Sequence, residues 1–134
     1  MFSVDIRWLI EDRVILGEFC GDGDLDCCQH TLGRIKELLD ESTQPVQIVL
    51  NMSRVSTSLK DPHEMFMAAN RFHQHPNIGL VIVVTENLAI RLSGRLLAQL
   101  LGTKFQAVNT MSRALLILRR VDPTLDLSRQ TAVA

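Results

Sequence analysis

Hydroxyl and charged side chains cluster in one short segment near the middle of the chain. The segment follows the apolar run of residues 46–50 and precedes an expected helix start, where free backbone N–H groups favour anions and polar contacts. We interpret it as a partner-binding loop whose hydroxyls are candidate phosphorylation sites. The alternative is that Ser and Thr here only hydrogen-bond their own loop backbone. The residues of this predicted loop are Ser53, Ser56, Thr57, Ser58, Lys60 and Asp61.

The remaining residues that could bind a metal or act as nucleophiles have unsuitable spacing. The run of residues 21–26 is rich in Asp and Gly, but it lacks the later Glu that a calcium loop requires. A zinc site needs about four convergent ligands, and the histidines and cysteines show no such pattern. No nucleophile elbow or phosphate-binding Gly-rich loop is present. We therefore predict no metal, no cofactor, no catalytic residue and no enzymatic activity. The histidines and cysteines are His30, His63, His73, His75, Cys20, Cys27 and Cys28.

The hydrophobic pattern predicts the elements that position these residues, in the order ββαβαβαβα. Alternating strands and helices predict an α/β fold with a mixed, mostly parallel sheet of about five strands and four helices. The predicted strands cover residues 5–10, 13–20, 46–50, 77–85 and 104–108. The predicted helices cover residues 25–41, 61–75, 87–101 and 109–120. Residues 1–125 are predicted to form one domain, and residues 126–134 a flexible C-terminal tail.

Composition excludes several classes of function. The chain has 134 residues and a formal net charge of −1, so it offers no basic surface for nucleic acid. Three cysteines do not make a disulfide framework and favour a reducing compartment. No leader and no apolar run of membrane-spanning length is evident, so we expect a cytoplasmic protein without membrane insertion.

The third and fourth predicted helices carry more apolar residues than one contact with a sheet requires. We interpret the surplus as an apolar surface that pairs with a second copy of the chain or binds an apolar ligand. The alternative is that these helices are wedged between neighbouring elements. The candidate residues of this surface are Met67, Ile90, Leu97, Leu101 and Leu116.

The element order, together with the strand and loop segment of residues 49–56, resembles the STAS domain family of bacterial anti-sigma-factor antagonists. The resemblance covers roughly residues 5–121. In family members that act in partner switching, the loop carries Asp-Ser-Ser-Gly, and a kinase-like anti-sigma factor phosphorylates a serine in it. Here Lys60 or Asp61 occupies that position, so the usual phosphorylation motif is missing.

Two functions follow as expectations. The resemblance implies a non-enzymatic regulatory module that binds another protein through the predicted loop. The surplus apolar surface favours, as the alternative, a domain that binds or senses a small lipid-like ligand. The identity of the partner or ligand, the oligomeric state and the pathway do not follow from the sequence.

Overall fold

The computed structural model describes residues 3–22, 25–57, 77–101 and 104–125. In these ranges the chain forms five strands and three helices, and the predicted α/β fold is confirmed. The predicted helix over residues 61–75 and the predicted tail lie outside the described residues. The elements are β1 Ser3–Ile10, β2 Val14–Asp22, α1 Leu25–Glu41, β3 Val46–Thr57, β4 Ile78–Val84, α2 Leu88–Leu101, β5 Phe105–Val108 and α3 Met111–Val121.

All five strands belong to one sheet in the sequential order β1-β2-β3-β4-β5. The β1–β2 pair is antiparallel, and the other three pairs are parallel. Parallel neighbours require crossover connections, which are almost always right-handed. Each crossover leads to the neighbouring strand, always in the same direction across the sheet. Crossovers of one handedness that run in one direction place their helices on one face, so the connecting helices are expected there.

Apolar side chains alternate along the strands and form a separate core on each face. On the first face, called the α1 face, α1 packs through Ile35, Leu38 and Leu39 onto Ile6, Ile15, Val46 and Ile48. On the second face, called the α3 face, α3 packs through Ala114, Leu115 and Leu118 onto Val14, Leu16, Val49, Leu80, Ile82, Val84 and Val108.

The helix α2 lies on the α1 face. Phe105 of β5 is the register partner of Val81 of β4, and Val81 packs with the core of the α1 face. A Cβ atom added to Gly94 would lie 2.9 Å from Cζ of the Phe105 ring, so the backbone of α2 approaches this ring closely. Glycine, which has no Cβ atom, suits this close approach.

The turn between β1 and β2 is anchored from two sides. Asp12 has a φ of 63°, and its carboxylate accepts hydrogen bonds from the backbone N (2.8 Å) and the hydroxyl (2.6 Å) of Thr43. Arg13 forms an ion pair with Asp122 and donates a hydrogen bond of 2.7 Å to the hydroxyl of Thr124. The turn therefore joins the segment after α1 to the segment after α3.

The structure corrects the predicted end of β3. We predicted a strand over residues 46–50 followed by a loop, but β3 continues to Thr57. The extension forms because β2 also runs further than predicted, to Asp22, and pairs with Arg54, Val55 and Thr57. This second half of β3 contains many polar residues, and its register with β2 shifts twice. The hydrophobic pattern therefore does not predict it.

Candidate interaction surface

The polar half of β3 begins with a bulge that Asn51 stabilises. Glu18 of β2 pairs with Asn51, and Cys20 pairs with Arg54, so two steps along β2 match three steps along β3. An extra residue of this kind interrupts the ladder of backbone hydrogen bonds. The side-chain oxygen Oδ1 of Asn51 accepts hydrogen bonds from the backbone N (3.1 Å) and the hydroxyl (2.7 Å) of Ser53. The Asn51 side chain thus supplies an acceptor for a backbone amide within the bulge.

A row of polar side chains crosses three neighbouring strands beside this bulge. Asp5, Glu18 and Asn51 are successive register partners, so their side chains share one face of the sheet. Glu18 lies two positions along β2 from Leu16, which belongs to the core of the α3 face, so the two side chains share one face of the sheet. The row therefore lies on the α3 face, in a part that is open to solvent.

Arg7 holds the two acids of this row together. Its guanidinium donates a hydrogen bond of 2.6 Å to Oε1 of Glu18 and forms an ion pair with Asp5. Hydrogen bonding to Glu18 raises the pKa of Arg7 above its ordinary value. The side chains remain 44–65% exposed, so this cluster presents charge to the solvent and contributes little to stability.

The predicted loop residues occupy a strand where the structure describes them. Ser53 and Arg54 are exposed, and the Ser53 hydroxyl donates to Asn51. Ser56 and Thr57 lie at the end of β3. Ser58, Lys60 and Asp61 lie outside the described residues.

Sequence reasoning missed the residues that lie beside Asn51 on the sheet. Asp5 and Glu18 lie far from Ser53 in the chain, and only the strand register places them beside Asn51. One available signal was Asn51 itself, because an asparagine directly after an apolar strand commonly hydrogen-bonds the backbone two residues further on.

The apolar surface differs from the predicted one. Ile90 is 5% exposed and belongs to the core, whereas Leu116 is 54% exposed. Leu97 and Leu101 lie in α2, and Met67 lies outside the described residues. Leu116 lies on α3, which packs on the opposite face of the sheet from α2.

Three other leucines of α2 are exposed. Leu88, Leu92 and Leu96 are 65%, 56% and 54% exposed, and we call them the leucine stripe. Ile90 and Ala98 are buried, and Gly94 between them faces the Phe105 ring closely enough that an added Cβ would lie 2.9 Å from it. Each helical residue adds about 100° of rotation around the helix axis. Residues two positions from Ile90, Gly94 and Ala98 therefore lie on the opposite side of the helix and point away from the sheet.

The polar residues just before α2 have structural roles. Thr85 is the buried polar residue of the core at 1% exposure, and its hydroxyl oxygen accepts a hydrogen bond of 3.1 Å from the backbone N of Asn87. Oδ1 of Asn87 accepts from the backbone N of Ile90, which caps the start of α2. Within the described ranges, no group of three or more His, Cys, Asp or Glu residues could hold a metal ion.

In the part of the chain that the structure describes, no helix has both the length and the apolar character needed to cross a membrane.

Two solved structures resemble this one over most of their length. An uncharacterised protein of the DUF3478 family from Shewanella loihica PV-4, described as having a SpoIIAA-like fold, superposes with a TM-score of 0.63 at 12% identity, covering 87% of this chain and 93% of that one. An anti-sigma factor antagonist from Mycobacterium paratuberculosis superposes with a TM-score of 0.57 at 13% identity, covering 89% and 95%. The chain therefore has the SpoIIAA-like, or STAS, fold.

Comparisons by sequence add no relative. No protein-family model matches the chain, and no curated protein matches it significantly. The resemblance to the STAS family stated above is thus confirmed at the level of the fold.

Proposed function

We propose that the chain is a non-enzymatic, cytoplasmic regulatory module that binds another protein, in the manner of an anti-sigma factor antagonist. The observation that carries the proposal is the likeness to the antagonist from Mycobacterium paratuberculosis, which covers 89% of this chain and 95% of that one. The similarity thus extends over almost the whole length of both chains.

The partner contact is proposed at the end of β3 and in the segment after it. The exposed Ser53 and Arg54 stand beside the polar row of Asp5, Glu18 and Asn51. A mixed polar surface of this kind suits a regulatory contact that forms and dissociates. The contact would continue through Ser56, Thr57, Ser58, Lys60 and Asp61.

A small apolar ligand is the second candidate function, and the leucine stripe is the observation that favours it. The stripe is an open helix surface, whereas ligand sites are usually concave and enclose most of the ligand. We therefore rank ligand binding below protein binding.

The proposed contact is tested in two steps. A photo-crosslinking amino acid replaces Ser53 in the full chain inside its source cells, and the same amino acid at Lys36, exposed on α1, is the matched control. The protein joined through position 53 is then purified, and its affinity is measured for the wild-type chain and for Ser53→Arg. We expect Ser53→Arg to weaken binding at least about tenfold, because a bulky charge would enter the contact.

Lys36→Glu, which changes a charge on a different element, should leave the affinity unchanged. The proposal would be contradicted if both positions crosslink the same proteins equally, or if Ser53→Arg and Thr57→Arg both bind the purified partner as well as the wild type does.

A further inference from the structure

The bulge in β3 changes which side chains belong to the α3 face. Glu18 of β2 is the register partner of Asn51. Two residues further along β2, Cys20 is the partner of Arg54, which lies three residues after Asn51. Because side chains alternate between the two faces of a sheet, the extra residue exchanges the faces for the residues that follow it.

Arg54 is the residue whose place depends most directly on this exchange. Its partner Cys20 lies two positions along β2 from Glu18, so Arg54 belongs to the α3 face. In a regular pairing without the extra residue, Cys20 would pair with Ser53, and Arg54 would lie on the α1 face. The bulge therefore brings Arg54 to the face that carries the polar row.

The backbone amide of Ser53 decides between the two registers. The backbone N of Gln47 donates to the carbonyl of Arg13 beside β2 (3.0 Å), and every second residue of a parallel strand bonds to the same neighbour. In a regular register the amide of Ser53 would therefore also bond to β2. In the bulge it donates instead to Oδ1 of Asn51 (3.1 Å), which also accepts from the Ser53 hydroxyl (2.7 Å).

We infer that Asn51 is a positioning residue, which holds the bulge and thereby presents Arg54 on the α3 face as part of the partner contact. Without the acceptor of Asn51, the amide of Ser53 would lose its bond in the bulge, and the regular register would be favoured because it supplies a backbone acceptor. The role of Arg54 in the contact rests on the proposed function, whereas the effect of Asn51 on the register does not.

The charge of Arg54 indicates the chemistry of the partner. Arg7 forms ion pairs with both acids of the polar row, so these acids are already engaged within the chain. Arg54 is exposed, and among the described residues it forms no ion pair. A guanidinium forms its strongest hydrogen bonds with carboxylates. The partner that fits this surface presents an acidic side chain to Arg54.

The first test measures the register and needs no partner. The two cysteines of α1 are replaced by alanine, so Cys20 is the remaining native thiol, and a second thiol is introduced by Arg54→Cys or by Ser53→Cys. Dibromobimane becomes strongly fluorescent when it joins two neighbouring thiols. In the chain with Asn51, we expect Arg54→Cys to be joined to Cys20 at least about fivefold faster than Ser53→Cys, because register partners share one face.

Asn51→Ala should reverse this preference, because the regular register pairs Ser53 with Cys20. Asn51→Asp is the matched control, since it keeps an acceptor oxygen at the same place and should retain the original preference. Circular dichroism checks that both variants are folded. The inference is overturned if folded Asn51→Ala keeps the original preference, or if the chain with Asn51 joins Ser53→Cys as fast as Arg54→Cys.

The second test measures the affinity for the protein purified through position 53. Arg54→Glu should weaken binding at least about tenfold, because it places like charges opposite each other. Arg95→Glu, exposed on α2, is the matched control and should leave the affinity unchanged. Asn51→Ala should also weaken binding, and Asn51→Asp should bind as the wild type does.

The two tests separate this inference from the proposed function. If no protein is joined through position 53, the proposed function fails, while the thiol reactions still decide whether Asn51 sets the register. If Ser53→Arg weakens binding but Arg54→Glu does not, the partner contact stands, and the role inferred for Arg54 is overturned.

Discussion

At the scale of single residues, Asp12 shows how a side chain fixes a turn. Its φ of 63° lies in the left-handed region, which Asp and Asn adopt more readily than most residues. The hydrogen bonds from the side chain and the backbone N–H of Thr43 lower the pKa of the Asp12 carboxyl. The sequence predicted a turn at residues 11 and 12, but not this contact, because Thr43 is 31 residues away.

The lowered pKa of Asp12 predicts a pH-dependent contribution to stability. A carboxyl group whose folded pKa is depressed stabilises the fold above its unfolded pKa, and this contribution is lost as pH falls through the folded pKa. Asp12→Asn tolerates the same φ but cannot carry the charge. The variant should be less stable than the wild type at neutral pH, and the difference should shrink in acid.

Urea unfolding of both proteins at neutral and acidic pH measures this difference. Glu11→Gln, in the same turn, is the matched control and should not reproduce the effect. A difference between wild type and Asp12→Asn that stays constant with pH would show that the charge of Asp12 is not the cause.

At the scale of elements, the hydrophobic pattern located α2 but did not identify its inner face. Leucine and isoleucine cover about half of this helix, so periodicity alone could not select the buried row. The position of Gly94 does indicate it, since a Cβ atom added there would lie 2.9 Å from the Phe105 ring. Ile90 therefore lies in the core, and the leucine stripe faces outward.

This explanation predicts opposite effects for two helical glycines. A Cβ at position 94 would lie 2.9 Å from the Phe105 ring, whereas a Cβ at Gly33 of α1 would have no atom within 4 Å. We expect Gly94→Ala to lower the free energy of unfolding by about 1–2 kcal/mol, because crowding outweighs the gain in helix propensity. Gly33→Ala should raise it by about 0.5–1 kcal/mol.

Urea unfolding at neutral pH measures both changes. Phe105→Leu added to Gly94→Ala should recover part of the loss, because the smaller side chain leaves room for the new methyl group. If Gly94→Ala stabilises the protein as much as Gly33→Ala does, Gly94 does not position α2.

At the scale of the whole molecule, the element order was predictable and the interaction surface was not. Strand and helix periods are local properties, and the α/β fold with its parallel strands follows from their alternation. The row of Asp5, Glu18 and Asn51 depends on strand register, which a bulge shifts without a clear sequence signal. At 12–13% identity, the two structural relatives share this fold with few of the same residues.

The central claim, that this fold serves as a protein-binding module, is tested most directly by native mass spectrometry of the chain purified from its source cells. Protein–protein contacts survive gentle ionisation, and a tightly held small ligand adds its own mass to the chain. The account predicts chains without added small mass, including a complex with a distinct protein. A monomer that consistently carries one small organic molecule, and no protein complex, would contradict the account and identify a ligand-binding domain.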